Sequence, residues 1–157
     1  MHSALAFILC GIRADDPEAL VAANELLRAH RTGLVGTGVM EPYASMYAAE
    51  PFASSDVETL KDCLLEYVHA ESAKNVSSAV HALGYLQDGN LIPIFRRILA
   101  LKLGELSAAS ASVGELVVAL NDLGEPLFEQ SFNTINIDEN AATARRYLRE
   151  HGVNIPW

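Results

Sequence analysis

Helix starts and helix stops recur along this chain, whereas the alternation and turns of β-strands barely appear, and this asymmetry constrains the fold more than any other feature. Asp15, Asp16, Pro17 and Glu18 supply an acidic cap, a proline tolerated in a first turn and a carboxylate at the positive end of a helix dipole. With Leu20, Ala23, Leu27 and Leu34 at helical spacing, they predict a helix over 16–30 with Gly33 as its stop. Gly36, Gly38, Pro42 and Pro51 mark 34–51 as a connection holding at most one short helix, near 43–49. The capping-box pattern Ser55-Asp56-Val57-Glu58 opens a helix over 56–70. Its apolar face is Val57, Leu60, Leu64, Tyr67 and Val68, and Glu58, Asp62 and Glu66 form a solvated stripe.

The same punctuation continues. A third helix is predicted over 72–87, with Val76, Ala79, Val80, Leu83 and Leu86 inward. Asp88-Gly89 turns the chain, and Asn90 is expected to cap a fourth helix with Pro93 in its first turn. Leu91, Ile94, Phe95, Ile98 and Leu99 give that helix an apolar side. The Ser/Ala-rich stretch 104–114 is compatible with a helix or a loose connection. Val113, Leu116, Val117 and Leu120 restore a helical face that Leu123-Gly124 ends, and Glu125-Pro126 begins another helix. The last helix takes Ala141, Ala144, Tyr147 and Leu148 inward and stops at Gly152. The expectation is an all-α fold of antiparallel helix pairs.

Composition narrows the class. The 157 residues carry 11 Lys and Arg against 20 Asp and Glu, a formal charge of −9, with half of all residues hydrophobic. That length suits a single domain over 1–157, and the apolar content suffices for a core. Nucleic acid and anionic membrane are disfavoured as partners because the charge repels both. The apolar opening, Met1 to Gly11, lacks the basic start of an export signal and reads as an N-terminal helix of a cytoplasmic protein. Cys10 and Cys63 have no paired spacing and are expected to be buried free thiols.

One segment carries a more specific signal. The run from Ser78 to Phe95, followed by Arg96-Arg97-Ile98-Leu99, resembles the HEAT-like repeat of phycobilisome lyases, A-x-x-A-L-G-x-L-x-D-x-x-x-x-P-x-L-x-x-x-L. Ala79, Ala82, Leu83, Gly84, Leu86, Asp88, Pro93 and Leu99 occupy its positions, and Phe95 stands where Leu is usual. A weaker echo runs from Val118 to Phe128, with four residues fewer between the Ala-Leu pair and the proline. The resemblance implies a short right-handed solenoid of about seven to nine helices.

Chemistry-bearing patterns are sparse. His2, His30, His69, His81 and His151 form no HExxH and no pair three or four apart on one helix. One HEAT-like enzyme, deoxyhypusine hydroxylase, holds iron through His-Glu dipeptides; here Glu150-His151 is reversed. Neither cysteine has a neighbouring pattern that would lower a thiol pKa, and Gly33 to Gly38 lacks the ending of a phosphate loop. The reading is therefore a non-enzyme without cofactor or metal.

The charge distribution offers more. Between Lys102 and Arg145 lie Glu105, Glu115, Asp122, Glu125, Glu129, Asp138 and Glu139 with no Lys or Arg among them. Glu41, Glu50, Asp56 and Glu58 form a second such block between Arg31 and Lys61. The first block is the candidate partner-binding surface, suited to a basic protein. Tyr43, Tyr47, Tyr85 and Trp157 are candidate aromatic anchors, each read first as a packing residue. A small acidic HEAT-like domain resembles a bacterial immunity protein that neutralises a toxin, and toxin nucleases are commonly basic. The other readings are a HEAT-like lyase or accessory enzyme acting on a protein-bound prosthetic group, and a scaffold subunit of a larger assembly.

Overall fold

A computed structural model of the chain describes residues 3–32, 53–70, 72–104, 111–125 and 137–154. Those residues form seven α-helices and one 3-10 turn, with no strand among them. The helices gather into two compact units, Met1–Leu86 and Gln87–Trp157.

The first unit holds α1 (Ser3–Arg13), α2 (Pro17–Thr32), α3 (Ser54–His69) and α4 (Val76–Gly84). Each packs on two others in a closed ring, α1 on α2, α2 on α4, α4 on α3 and α3 on α1. The core inside the ring is built from Leu5, Ile8, Ile12, Leu20, Leu27, Leu60, Leu64 and Leu83, all essentially inaccessible to solvent. Pro17 opens α2 as expected, and the Asp16 carboxylate caps it by accepting the Glu18 N–H at 3.0 Å. The expected stop at Gly33, the connection over 34–51 and its short helix lie outside the described residues.

Three local expectations shift. Helix α3 begins at Ser54, one to two residues early, and Asp56 rather than Ser55 does the capping: its carboxylate reaches back to accept the Ala53 N–H at 3.2 Å. Helix α4 begins at Val76, not near residue 72: Asn75 is its non-helical N-cap (φ −117°, ψ 42°) and donates its N–H to the Tyr67 hydroxyl at 2.9 Å; the helix ends before Leu86, which is half-buried. Cys63 is buried as expected, but Cys10 is exposed. Cys10 lies seven residues after Ser3 and three before Arg13, so it stands on the side of α1 that carries the helix's charged residue, a periodicity the surrounding apolar run obscures.

Close approach of α1 and α2 depends on Gly11. A Cβ built there would lie 2.4 Å from the Cβ of Ala19, a contact neither backbone can relieve by rotating a side chain. Gly11→Ala gains up to about 1 kcal/mol of helix propensity, but forcing the helices apart costs about 1–3 kcal/mol. The variant is therefore expected to lose about 1–2 kcal/mol in urea denaturation; a stabilised variant would show that the helices can part there without loss.

The second unit contains a 3-10 turn (Gly89–Leu91), α5 (Ile92–Gly104), α6 (Ala111–Asp122) and α7 (Ile137–Glu150). Asp88, not Asn90, supplies the cap, accepting the Asn90 N–H at 2.9 Å, so the 3-10 turn precedes α5 and Pro93 sits in its first turn. Phe95, Ile98, Leu99, Leu116, Val117, Leu120, Ala144 and Leu148 form the core of this unit, where α5 packs on α6 and α7. The open choice over 104–114 resolves in part: α6 begins at Ala111, while 105–110 lie outside the described residues. Gly124, at φ 89°, adopts a left-handed conformation that closes α6, and the Glu125 N–H bonds back to the Leu120 carbonyl at 3.0 Å. The helix expected from Glu125-Pro126 falls outside the described residues beyond Glu125, and α7 ends before Gly152 as expected. The two helices joined by the HEAT-like run, α4 and α5, belong to different units.

Candidate partner-binding surface

The seven acids that mark the candidate surface do not share one role. Glu105 and Glu129 lie outside the described residues, and Asp138 and Glu139 fall at the second and third positions of α7. Glu115 and Asp122 stand seven residues apart on α6, and so share a helix face with Val118 between them. Asp122 is exposed, Glu115 is half-buried, and Val118 is 39% accessible, one of four exposed large apolar side chains among the described residues. The opposite side of α6, Val113, Leu116, Val117 and Leu120, faces the core.

Asp122 is the last residue of α6, where backbone carbonyls concentrate negative partial charge, and the last turn carries no base. An acid at that end is unfavourable to the helix. Stability alone would favour a Lys or Arg there.

Glu125 is engaged inside its own unit. One carboxylate oxygen, Oε2, accepts hydrogen bonds from the Arg96 guanidinium at 2.5 Å and from the Tyr147 hydroxyl at 2.7 Å. Arg96 Nε also donates to the Tyr147 oxygen at 2.8 Å, closing a three-membered ring of charge-assisted bonds. His151 donates from Nδ1 to the Tyr147 carbonyl at 2.8 Å, which leaves Nε2 3.7 Å from Glu125 Oε2. The Tyr147 and Arg96 hydrogen bonds hold the Glu125 carboxyl below the usual range, while burial, more than its partners, pushes Tyr147 up to about 12. This ring joins α5, the end of α6 and α7, so Glu125 is a fastener before it is a rim charge. Sequence spacing could not single it out, because its partners lie 29 and 22 residues away.

A second polar cluster, absent from the sequence reading, fastens the first unit. Asp15 adopts φ 57°, a left-handed conformation uncommon for a residue with a side chain. Its carboxylate accepts a hydrogen bond from the Tyr67 hydroxyl and another from the Asn75 amide at 3.4 Å. The Tyr67 bond is the largest reason its carboxyl sits below the ordinary range. Beside it opens a cleft of about 200 Å³, lined in part by Ile12, Arg13, Cys63, Glu66 and Tyr67. Burial pushes the Cys63 thiol up, with Arg13 opposing only in part, which is the reverse of what a nucleophile needs.

Tyr85 is half-buried and meets His81 edge-on, 5.3 Å between ring centroids; Tyr43, Tyr47 and Trp157 lie outside the described residues. Among the described residues no group of His, Cys, Asp and Glu is placed to hold a metal ion, and no helix is long and apolar enough to cross a membrane. No protein-family model, curated protein or solved structure matches the chain.

Proposed function

We propose that this chain is a non-catalytic protein-binding module, an immunity protein that neutralises a basic, nuclease-type toxin domain in the bacterial cytoplasm. The observation that carries the reading is the acid-only block between Lys102 and Arg145, in which Asp122 stays exposed at a helix end that disfavours it. A field of one sign speeds encounter with a basic partner and rejects acidic ones. The exposed Val118 between Glu115 and Asp122 adds an apolar contact to such a surface.

The same proposal includes the architecture, a short right-handed HEAT-like solenoid. In the first unit α1 packs on α2 and α3 on α4, as the proposal requires, although the closed ring of four helices is equally the pattern of a helical bundle.

The test is co-expression with the C-terminal domain encoded by the gene immediately upstream. That domain alone is expected to arrest growth, and this chain to restore it; a harmless domain, or arrest that this chain does not relieve, overturns the reading. Asp122→Asn separates stability from binding. Relieving the helix dipole is worth about 0.3–1 kcal/mol, so the melting temperature should rise by about 1–3 °C. Association with the toxin domain should slow, and its salt dependence weaken. Faster or unchanged association would remove Asp122 from the surface.

A further inference from the structure

We infer that the cleft beside Asp15 is a binding site for a primary ammonium group carried on a short apolar stem. All of its lining residues belong to the first unit, whereas the acid-only block belongs to the second. Cys63, Glu66, Tyr67 and Ala70 line it at three- and four-residue spacing, so a single stripe of α3 and its C-cap supplies one wall. Ile12 and Arg13, the last two residues of α1, supply more of the lining. The walls are pinned to one another: the Asp15 carboxylate accepts from the Tyr67 hydroxyl and the Asn75 amide, and the Tyr67 oxygen accepts the Asn75 N–H at 2.9 Å. The cleft is therefore preformed, and binding requires little further ordering.

Burial sorts the lining into a depth and a mouth. Ile12, Cys63 and Tyr67 are buried, while Arg13 and Glu66 are exposed. Cys63 is only 4% accessible, and its thiol has no hydrogen-bond partner among the described residues. Water gains little against that sulfur and its apolar neighbours, whereas an alkyl stem packs well there. Charge at the mouth selects the head group. Asp15 and Glu66 bring two carboxylates, and the C-terminal ends of α1 and α3 add negative partial charge, against one guanidinium, Arg13. Asp15 is engaged by Tyr67 and Asn75, but the Glu66 carboxylate has no ion pair or hydrogen bond to another described residue. An ammonium at Glu66 makes a charge-assisted hydrogen bond in the field of Asp15; an anionic head would have Arg13 alone, with both carboxylates against it. At roughly 30 Å³ per water, a cleft of about 200 Å³ suits a ligand of about six non-hydrogen atoms.

The test is titration of the full chain with isoamylamine, beside its neutral and anionic counterparts isoamyl alcohol and isocaproate, followed through the backbone amide resonances. The amine should saturate at about millimolar concentration, as one partly exposed charge contact allows, and shift the resonances of 12–15 and 63–70. In a Cys10→Ser chain it should also slow alkylation of Cys63 by iodoacetamide. Glu66→Gln should weaken the amine by about three- to tenfold at an unchanged melting temperature, because the side chain is exposed. Asp62→Asn, which removes an exposed acid one turn away on α3 and outside the cleft, should leave binding as it was. Failure to saturate overturns the inference, and so does a Glu66→Gln chain that binds as wild type. Alcohol or carboxylate binding as well as the amine would show that the ammonium is not what the cleft recognises, and overturns it equally. A blocked lysine, N-acetyl-lysine methylamide, identifies the source: tighter binding than isoamylamine upholds the site for a lysine side chain of a protein, weaker binding upholds it for a free amine.

Discussion

Replacing Phe95 with Ala is expected to lower stability by about 3–5 kcal/mol, a large part of what holds a domain folded. The ring is wholly inaccessible and sits on α5, the helix on which both α6 and α7 pack, so truncation leaves a void that three helices cannot easily close. Phe95→Leu is the more discriminating variant. The HEAT-like pattern has Leu at this position, so a chain obeying the pattern alone would accept Leu without loss. A site packed around an aromatic ring would not, and a cost of about 1–2 kcal/mol is expected. Urea denaturation distinguishes the two through the transition midpoint, with the slope unchanged if only stability has moved. A neutral Phe95→Leu would mean that the neighbouring side chains adapt to either shape.

The helices were readable because their signals are local. Pro17 after an acidic cap, Gly124 after a helical face, and the apolar rows of α3 and α6 each act within a turn or two of the residues they govern. Cap register was less readable, since Ser55 and Asp56 are both good caps and only the backbone position of Ala53 decides between them. What spacing could not supply was partnership across the chain. Asp15 reads as part of a helix cap, yet its carboxylate meets Tyr67 and Asn75, 52 and 60 residues on. The acid-only block shows the same limit. The sequence places seven like charges in one segment, but only folding distinguishes Asp122, which faces solvent, from Glu125, which is held by Arg96 and Tyr147. For α1 the reason is different: an almost unbroken apolar run obscures a weak periodicity in which Cys10 shares a side with Arg13, and both are exposed.

Glu125→Ala is expected to cost about 2–3 kcal/mol at neutral pH, because one oxygen accepts from both Arg96 and Tyr147 and its loss leaves two donors unmatched. The Arg96 side chain is only 21% accessible, so water replaces the lost acceptor poorly. Tyr147→Phe removes the hydroxyl shared by the ring, and the double variant should lose less than the sum of the singles, since each alone disrupts the other's bonds. The pH dependence has a definite sign. Glu125 titrates below its ordinary value of 4.5 in the folded protein, first through Tyr147 and then Arg96, so its contribution is fully present above that value. It is lost as pH falls through the depressed folded value. The stability gap between wild type and Glu125→Ala should therefore narrow as pH falls from 4.5 through the depressed folded value. Asp15, also depressed, is common to both proteins and cancels in the difference. A gap that does not narrow in acid would show that the loss comes from packing and neutral hydrogen bonds alone. This behaviour also decides which acids can test the binding surface. A Glu125 variant that fails to hold a partner reports a loosened α5–α7 junction, whereas Asp122→Asn, at an exposed site and expected to gain stability, loses binding only if the charge was used for it.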